Sequence, residues 1–320
     1  MLNKVIPFFR KIKKYDIVFI TPPKGSDGWI LEAIAREISN YIPKDVSYSF
    51  NMSLQKLDSS KAYFFMHYMF YYNYRKKNLI SNNADCFVWF THIEYEKHNV
   101  SEKKLINVLK NIKGIFCTNS SVKKYLIDMG CNPNRVHLII GGADPKLFLD
   151  SKRNPNGVVG FCGAFYERKC PDKIYDLIKH MKHRNFLLIG RRWSSFSRFN
   201  EMQSLPNFQY VEPESYSEYP RLYAMMTVFV STSNLEGGPI PLIEAMMSNV
   251  VPVVSNTGFA EDLIKDDENG YIFQIDADVD SIANLVDKAF LNKKNIRETV
   301  YQFSWKNFSL NIMKIINNPL

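Results

Sequence analysis

Apolar and polar positions along this chain fall into two patterns that keep alternating. Short apolar runs bounded by glycine, proline or asparagine read as buried strands. Longer stretches with apolar residues every three or four positions read as amphipathic helices. In the first 150 residues, strands are expected at Asp16–Ile20, Val46–Phe50, Ala62–Met66, Cys86–Thr91, Gly114–Thr118 and Val136–Ile140. Helices are expected at about 29–41, in the later part of the aromatic stretch 63–77, at about 101–111 and at Ser120–Met129, the last capped by Asn119. The polar stretch 149–157, LDSKRNPNG, breaks the pattern and reads as a linker. The alternation then restarts. Strands are expected at Val158–Cys162, Asn185–Ile189, Phe208–Val211, Val228–Thr232, within VVPVV and at Tyr271–Phe273. Helices are expected at about 171–181, 216–224, 240–248 and 278–291, and the chain ends in the amphipathic FSWKNFSLNIMKII. Alternation of this kind predicts an α/β protein with parallel sheets covered on both faces. Two runs joined by a linker predict two Rossmann-like domains, 1–150 and 151–303.

Composition narrows the class. Apolar residues at 46% and charged residues at 23% are globular values. There is no secretory signal and no apolar run of transmembrane length. The five cysteines form no CxxC pair and no zinc pattern, so they read as buried thiols of a reducing compartment, and a cytoplasmic location is expected. Charge is uneven. The net +9 lies wholly in residues 1–150, with 22 Lys/Arg against 13 Asp/Glu, while residues 151–320 carry 19 of each. The first half should therefore face an anionic partner or surface. The leader MLNKVIPFFRKIKK leaves two readings open: a basic segment lying on an anionic membrane, or a loose lead into the first strand. Nucleic acid would suit the charge, but no helix-turn-helix, zinc or RNA-binding signature is present, so none is expected as a partner.

The candidate chemistry gathers in Val230–Gly258, VSTSNLEGGPIPLIEAMMSNVVPVVSNTG. Glu236 and Glu244 have seven residues between them. Gly237 and Gly238 let a ligand approach the backbone, and Pro239 and Pro241 suit a helix start. That start should face the loop as an anion site, with Glu244 in its first turn. A carboxylate there suits vicinal hydroxyls, since it accepts two hydrogen bonds. The plainer reading is a surface loop, a capped core helix and a core strand. Other positions are open in the same way. His92 ends an apolar strand, where ligands bind in open α/β sheets. The loop Thr21–Gly28 follows a strand but lacks the G-x-G-x-x-G fingerprint. The 63–77 stretch is either an acceptor or lipid surface, or a core strand and a packed helix. His67 reads as a packed histidine. Asp276-Ala-Asp278 has a metal-like spacing but leads into a late helix, so no metal is expected.

Four pieces in order resemble one family. EGGPIPLIEAM, SNVVPVVSNTGFAEDLIKDDENGYIF, TNSSVKKYLIDMGCNPNRVHLIIGGADPKLF and FSWKNF are similar to segments of GT-B glycosyltransferases of the retaining family 4 type (glycosyl transferases group 1). The resemblance covers nearly the whole chain. It implies two Rossmann-like domains around a cleft, with residues 304–320 crossing back onto the acceptor-binding first domain. It implies a nucleotide diphosphate sugar as donor, a UDP-sugar first and a GDP-sugar second. The acceptor would be a hydroxyl of a glycan or lipid-linked molecule, in bacterial or viral surface-glycan synthesis, with no metal. Carried over by position, Glu236, Lys169 and His92 would be catalytic: Glu236 on hydroxyls of the transferred sugar, Lys169 on the diphosphate, His92 on the reacting sugar. Glu244 would hold the ribose. Gly237, Gly238, Pro239 and Ile240 would form the donor loop, and Gly25 or Gly28 would lie beside the diphosphate. The family's G-R-x-x-x-x-K has its arginine right after the glycine. Here Ala164 stands there, expected across the cleft from the Gly-Gly loop, so Arg168, Arg191 or Arg192 would supply that charge. Two other readings fit the same fold: a nucleotide-sugar epimerase or hydrolase, and a non-catalytic nucleotide-sugar-binding subunit.

Overall fold

The apolar runs build two parallel sheets. In a computed structural model the described residues are 14–23, 29–92 and 99–318. The leader and both Gly25 and Gly28 lie outside them. The first sheet contains β1 (Tyr15–Thr21), β2 (Tyr48–Met52), β3 (Ser60–Phe65), β4 (Asp85–Phe90), β5 (Gly114–Cys117) and β6 (Val136–Leu138), in the order β2-β1-β3-β4-β5-β6. The second contains β7 (Val158–Cys162), β8 (Phe186–Ile189), β9 (Phe208–Val211), β10 (Met226–Ser231), β11 (Val251–Ser255) and β12 (Tyr271–Phe273), in the order β12-β11-β10-β7-β8-β9. All pairings are parallel. Parallel sheets need both faces covered, and the strands comply: Ile17 to Ile20 of β1 and Val251 and Val253 of β11 are fully buried.

The strand order fixes where a ligand can enter. The chain leaves β7 toward β8 and β9, then returns to place β10 on the other side of β7. The loops after β7 and β10 therefore leave from adjacent strand ends. Such a switch point leaves a crevice at the carboxyl edge of the sheet.

The aromatic stretch 63–77 follows the packed reading. It is the end of β3 and a helix at Tyr68–Lys76 whose Tyr68, Tyr71 and Tyr74 are buried. The Tyr74 hydroxyl donates to Gln55 O at 2.7 Å. His67 caps that helix, its Nδ1 accepting from Met69 N at 3.2 Å. Three cysteines are buried, but Cys162 and Cys170 are half-buried, and all five are free thiols. The helix expected at 216–224 is broken into a 3-10 turn, Tyr216–Glu218, and a helix, Tyr219–Tyr223. Pro220 has no N–H to give and is tolerated only in a first turn, so the helix starts just before it. The helices at Phe199–Gln203 and Ile296–Val300 were not expected, whereas Ala260–Leu263 is the helix that the resemblance implied after the glycine turn.

The last helix, Trp305–Asn317, crosses back to the first sheet. Trp305, Phe308, Ile312 and Met313 join the core that contains Phe64, Phe87 and Trp89, with Trp89 and Phe308 rings 5.3 Å apart. The two crossings between the halves touch: Ala143 N donates to Phe303 O at 3.1 Å. Arg297 ties the first crossing to the second half, donating to the carbonyls of Pro145, Phe148 and Met247. Among the described residues, no helix is long and apolar enough to cross a membrane.

Candidate functional site

The loops after β7 and β10 hold one another. Thr232 Oγ1 donates to Lys169 O at 2.8 Å, and Asn234 N donates to Arg168 O at 2.8 Å. The first loop ends in the 3-10 turn Glu167–Lys169, and Cys170 follows at φ 52° before the helix Pro171–His180. This reversal presents two consecutive cations to the second loop. Lys169 Nζ lies 2.7 Å from Glu236 Oε1, and Arg168 lies 2.7 Å from Glu236 Oε2. Ser233 Oγ also donates to Oε1 at 2.8 Å. Glu236 is 9% exposed. Burial alone would raise its pKa, but the charges and hydrogen bonds of Lys169 and Arg168 outweigh it and hold the carboxyl down at about 2. Two cations and one carboxylate leave the cluster with one net positive charge.

Ala164 is not across a cleft from the Gly-Gly loop. Both loops leave the same edge of one sheet, because β7 and β10 are neighbours. Of the three arginines weighed to stand in for it, Arg168 is the one on Glu236. Arg191 and Arg192 are exposed in the loop after β8, and the Arg192 guanidinium lies 5.0 Å from the ring centre of Tyr166. The same ring carries Arg168 at 5.2 Å.

The first half reaches this loop through its own strand ends. Thr118 and Asn119, just after β5, donate to Gly237 O at 3.0 and 2.7 Å. Asn119 also caps the helix Ser120–Asp128, its Oδ1 accepting from Val122 N. A Cβ on Gly237 would lie 2.8 Å from the backbone C and O of Thr91, and one on Gly238 would lie 2.7 Å from Phe259. Only glycine permits that approach. His92, the next residue after Thr91, is half-buried.

The helix after the loop runs from Ile240 to Met247, with Pro239 as its N-cap. It corrects two expectations. Glu244 is the fifth helical residue, in the second turn rather than the first. The helix start also offers few N–H donors: Pro239 and Pro241 have none, and Leu242 N bonds Pro239 O at 2.9 Å. Positive charge at this point comes mainly from Lys169 and Arg168. Glu244 is 3% exposed. Its Oε2 accepts from Tyr223 at 2.9 Å and its Oε1 accepts from Tyr216. Burial pushes its carboxyl up to about 7, against the two tyrosine hydrogen bonds that lower it. Burial also pushes the neighbouring Cys162 thiol up to about 12.

Lys169, Arg168 and Glu236 thus converge beside the two glycines, His92 follows the Thr91 that packs against Gly237, and Glu244 lies in the helix after the loop. Sequence reasoning missed Ser233, Thr118, Tyr216 and Tyr223. Tyr216, Tyr219 and Tyr223 do recur at helical spacing, which could have marked one hydroxyl-bearing face. Asp278 caps the helix Val279–Phe290 by accepting from Ser281 N at 2.7 Å, a structural use of the Asp276-Ala-Asp278 spacing. Among the described residues, no three His, Cys, Asp or Glu side chains cluster as a metal site.

Comparison with known proteins places the family and the fold. Residues 147–304 match the family of glycosyl transferases group 1. No curated protein sequence matches the chain. Among solved structures it is similar to HepE from Anabaena in complex with UDP and glucose, at 12% identity and a TM-score of 0.74, covering 95% of this chain and 99% of that one. It is also similar to sucrose-phosphate synthase from Thermosynechococcus elongatus, at 15% identity and a TM-score of 0.75, covering 95% and 98%. The lipopolysaccharide outer core galactosyltransferase WaaB is similar at 15% identity and a TM-score of 0.70, covering 96% and 100%. At such identities the likeness establishes a shared fold, GT-B.

Proposed function

From the premise that this chain belongs, through residues 147–304, to the glycosyl transferases group 1, we propose that it moves a sugar, with retention, from a nucleotide diphosphate sugar to an acceptor hydroxyl. The observation that carries this reading is the Lys169–Glu236–Arg168 cluster at the β7/β10 switch point. Breaking the glycosidic bond leaves negative charge on the diphosphate. Lys169 and Arg168, held beside Glu236 with side chains 14% and 29% exposed, would stabilise that charge where it develops. Donor binding draws the cations toward phosphate and frees Glu236 to accept from hydroxyls of the transferred sugar. Glu244 takes the ribose hydroxyls. His92 reaches the sugar from the first half. The backbone of Gly237 and Gly238, with Pro239 and Ile240, forms the floor under the phosphates. No protein nucleophile stands out in this cluster, which favours same-face attack assisted by the leaving phosphate.

The second half is the donor domain and the first the acceptor domain in this reading. HepE has been solved with UDP-glucose, which makes UDP-glucose the first donor to test. WaaB is a lipopolysaccharide galactosyltransferase, which supports a surface glycan or its lipid-linked precursor as acceptor class. A first half carrying all of the chain's excess positive charge suits an anionic acceptor or membrane surface. The two cations would let turnover persist in a strong chelator.

A thermal-shift panel of UDP, GDP, ADP and their sugars tests the reading. A ligand that binds only the folded chain raises the unfolding midpoint. At least one nucleoside diphosphate and its sugar should do so, and silence across the panel would refute a donor site.

A further inference from the structure

Glu244 cannot be reached in the described conformation. It is 3% exposed, and each of its oxygens holds a tyrosine hydroxyl. The two tyrosines differ. Tyr223 is fully buried, its ring 5.6 Å from that of Phe148 and 6.5 Å from that of Phe229. It is part of the core. Tyr216 is 42% exposed and opens the short turn Tyr216–Glu218. Its ring meets Phe148 edge-on at 5.9 Å and Tyr219 at 5.5 Å. Glu214, Ser215 and Ser217 around it are all exposed. The turn itself is held by the reciprocal Ser215–Glu218 cap, which does not involve the Tyr216 side chain. A swing of Tyr216 would therefore leave the turn intact and give up only its bond to Glu244 and its ring contacts with Phe148 and Tyr219.

We propose that Tyr216 gates the ribose subsite: its hydroxyl occupies the position of a ribose hydroxyl on Glu244 and leaves when a nucleotide binds. The inference rests on the reading of Glu244 as the ribose ligand. It identifies what the nucleotide must displace. A phenol and a sugar hydroxyl make the same kind of bond to a carboxylate, so the exchange replaces one charge-assisted hydrogen bond with another. Closed Tyr216 also keeps Glu244 satisfied while the site is empty, since a buried carboxylate without partners is costly. The consequence is a lowered apparent affinity, in proportion to the fraction of molecules with Tyr216 swung out.

Tyr216→Phe separates the gate from the fold. It removes the bond to Glu244 and keeps the ring packing. Binding of UDP and of 2′,3′-dideoxy-UDP, which lacks both ribose hydroxyls, is titrated against parent and variant, with the GDP and ADP pairs as parallel arms. The parent should prefer the ribo form. The variant should bind that form at least about tenfold more tightly, the worth of one charge-assisted hydrogen bond, with no gain for the dideoxy form. Unchanged or weaker ribonucleotide binding in the variant, with the parent's preference intact, overturns the gate alone. A parent with no preference between the two forms overturns the ribose reading of Glu244, and the gate with it.

Discussion

Lys169 Nζ and Glu236 Oε1 meet at 2.7 Å although 67 positions separate them in the chain. Neighbouring strands β7 and β10 deliver them to the same edge. In the proposed function the pair would keep the cation for the diphosphate in place before the diphosphate arrives, held by the carboxylate that would later serve the sugar.

Lys169→Ala should lower turnover by about 10²–10³-fold, the usual loss for one preorganised group facing developing charge. Arg168 still sits on Glu236 Oε2, so the carboxylate keeps a partner. Stability should fall by only about 1–3 kcal/mol. Denaturant unfolding and donor consumption, measured on the same preparation, check both halves of this expectation.

Glu236 should shape the acid limb of stability. Its folded pKa is about 2 and its ordinary value 4.5, so folding favours the ionised form. The contribution, about 3 kcal/mol, is fully present above about pH 4.5 and is lost as pH falls through 2. Glu236→Gln should flatten the midpoint-versus-pH curve between about pH 5 and 2. An unchanged acid limb would contradict the ion pair.

Glu244 has the opposite sign. Its folded pKa is about 7 against 4.5, so folding favours the neutral form. Its contribution is full below about pH 4.5 and is lost as pH rises through 7. The ionised form is the better double acceptor. Preference for UDP over 2′,3′-dideoxy-UDP should therefore grow from pH 6 to pH 8, and Glu244→Gln should abolish that pH dependence.

Gly237→Ala should uncouple the halves. The added methyl would sit 2.8 Å from the backbone of Thr91, which cannot yield as a side chain can. Overpacking of this kind costs about 1–3 kcal/mol. Each half should stay folded while the contact of Gly237 with Thr118 and Asn119 opens. Small-angle scattering should record a larger radius of gyration, and turnover should drop.

The fold was legible because strand cores are apolar and helices periodic. β7, β9 and β12 fall on their expected bounds. β2 lies two residues later than expected, since Val46 and Ser47 still belong to the approach to the strand. The short helices Phe199–Gln203 and Ile296–Val300 span too few turns to show a period. In the site, the Gly-Gly loop and both glutamates were legible as a local run. Three features were not. Ala164 was placed across a cleft because linear order does not reveal that β10 returns beside β7. Asn119 was visible as a helix cap, but its second bond, to Gly237 O, depends on how the two halves dock. Tyr216 and Tyr223 looked like helix residues, and their hydroxyls acquire a role only when the turn brings them onto Glu244.

The most direct test of the account is calorimetric titration of the parent and of Lys169→Ala with UDP and UDP-glucose. The account predicts saturable binding to the parent and at least about tenfold weaker binding to the variant, the loss of one charge-assisted contact to phosphate. Equal affinity in the two proteins would contradict the assignment of the Lys169–Glu236 cluster as the donor diphosphate site.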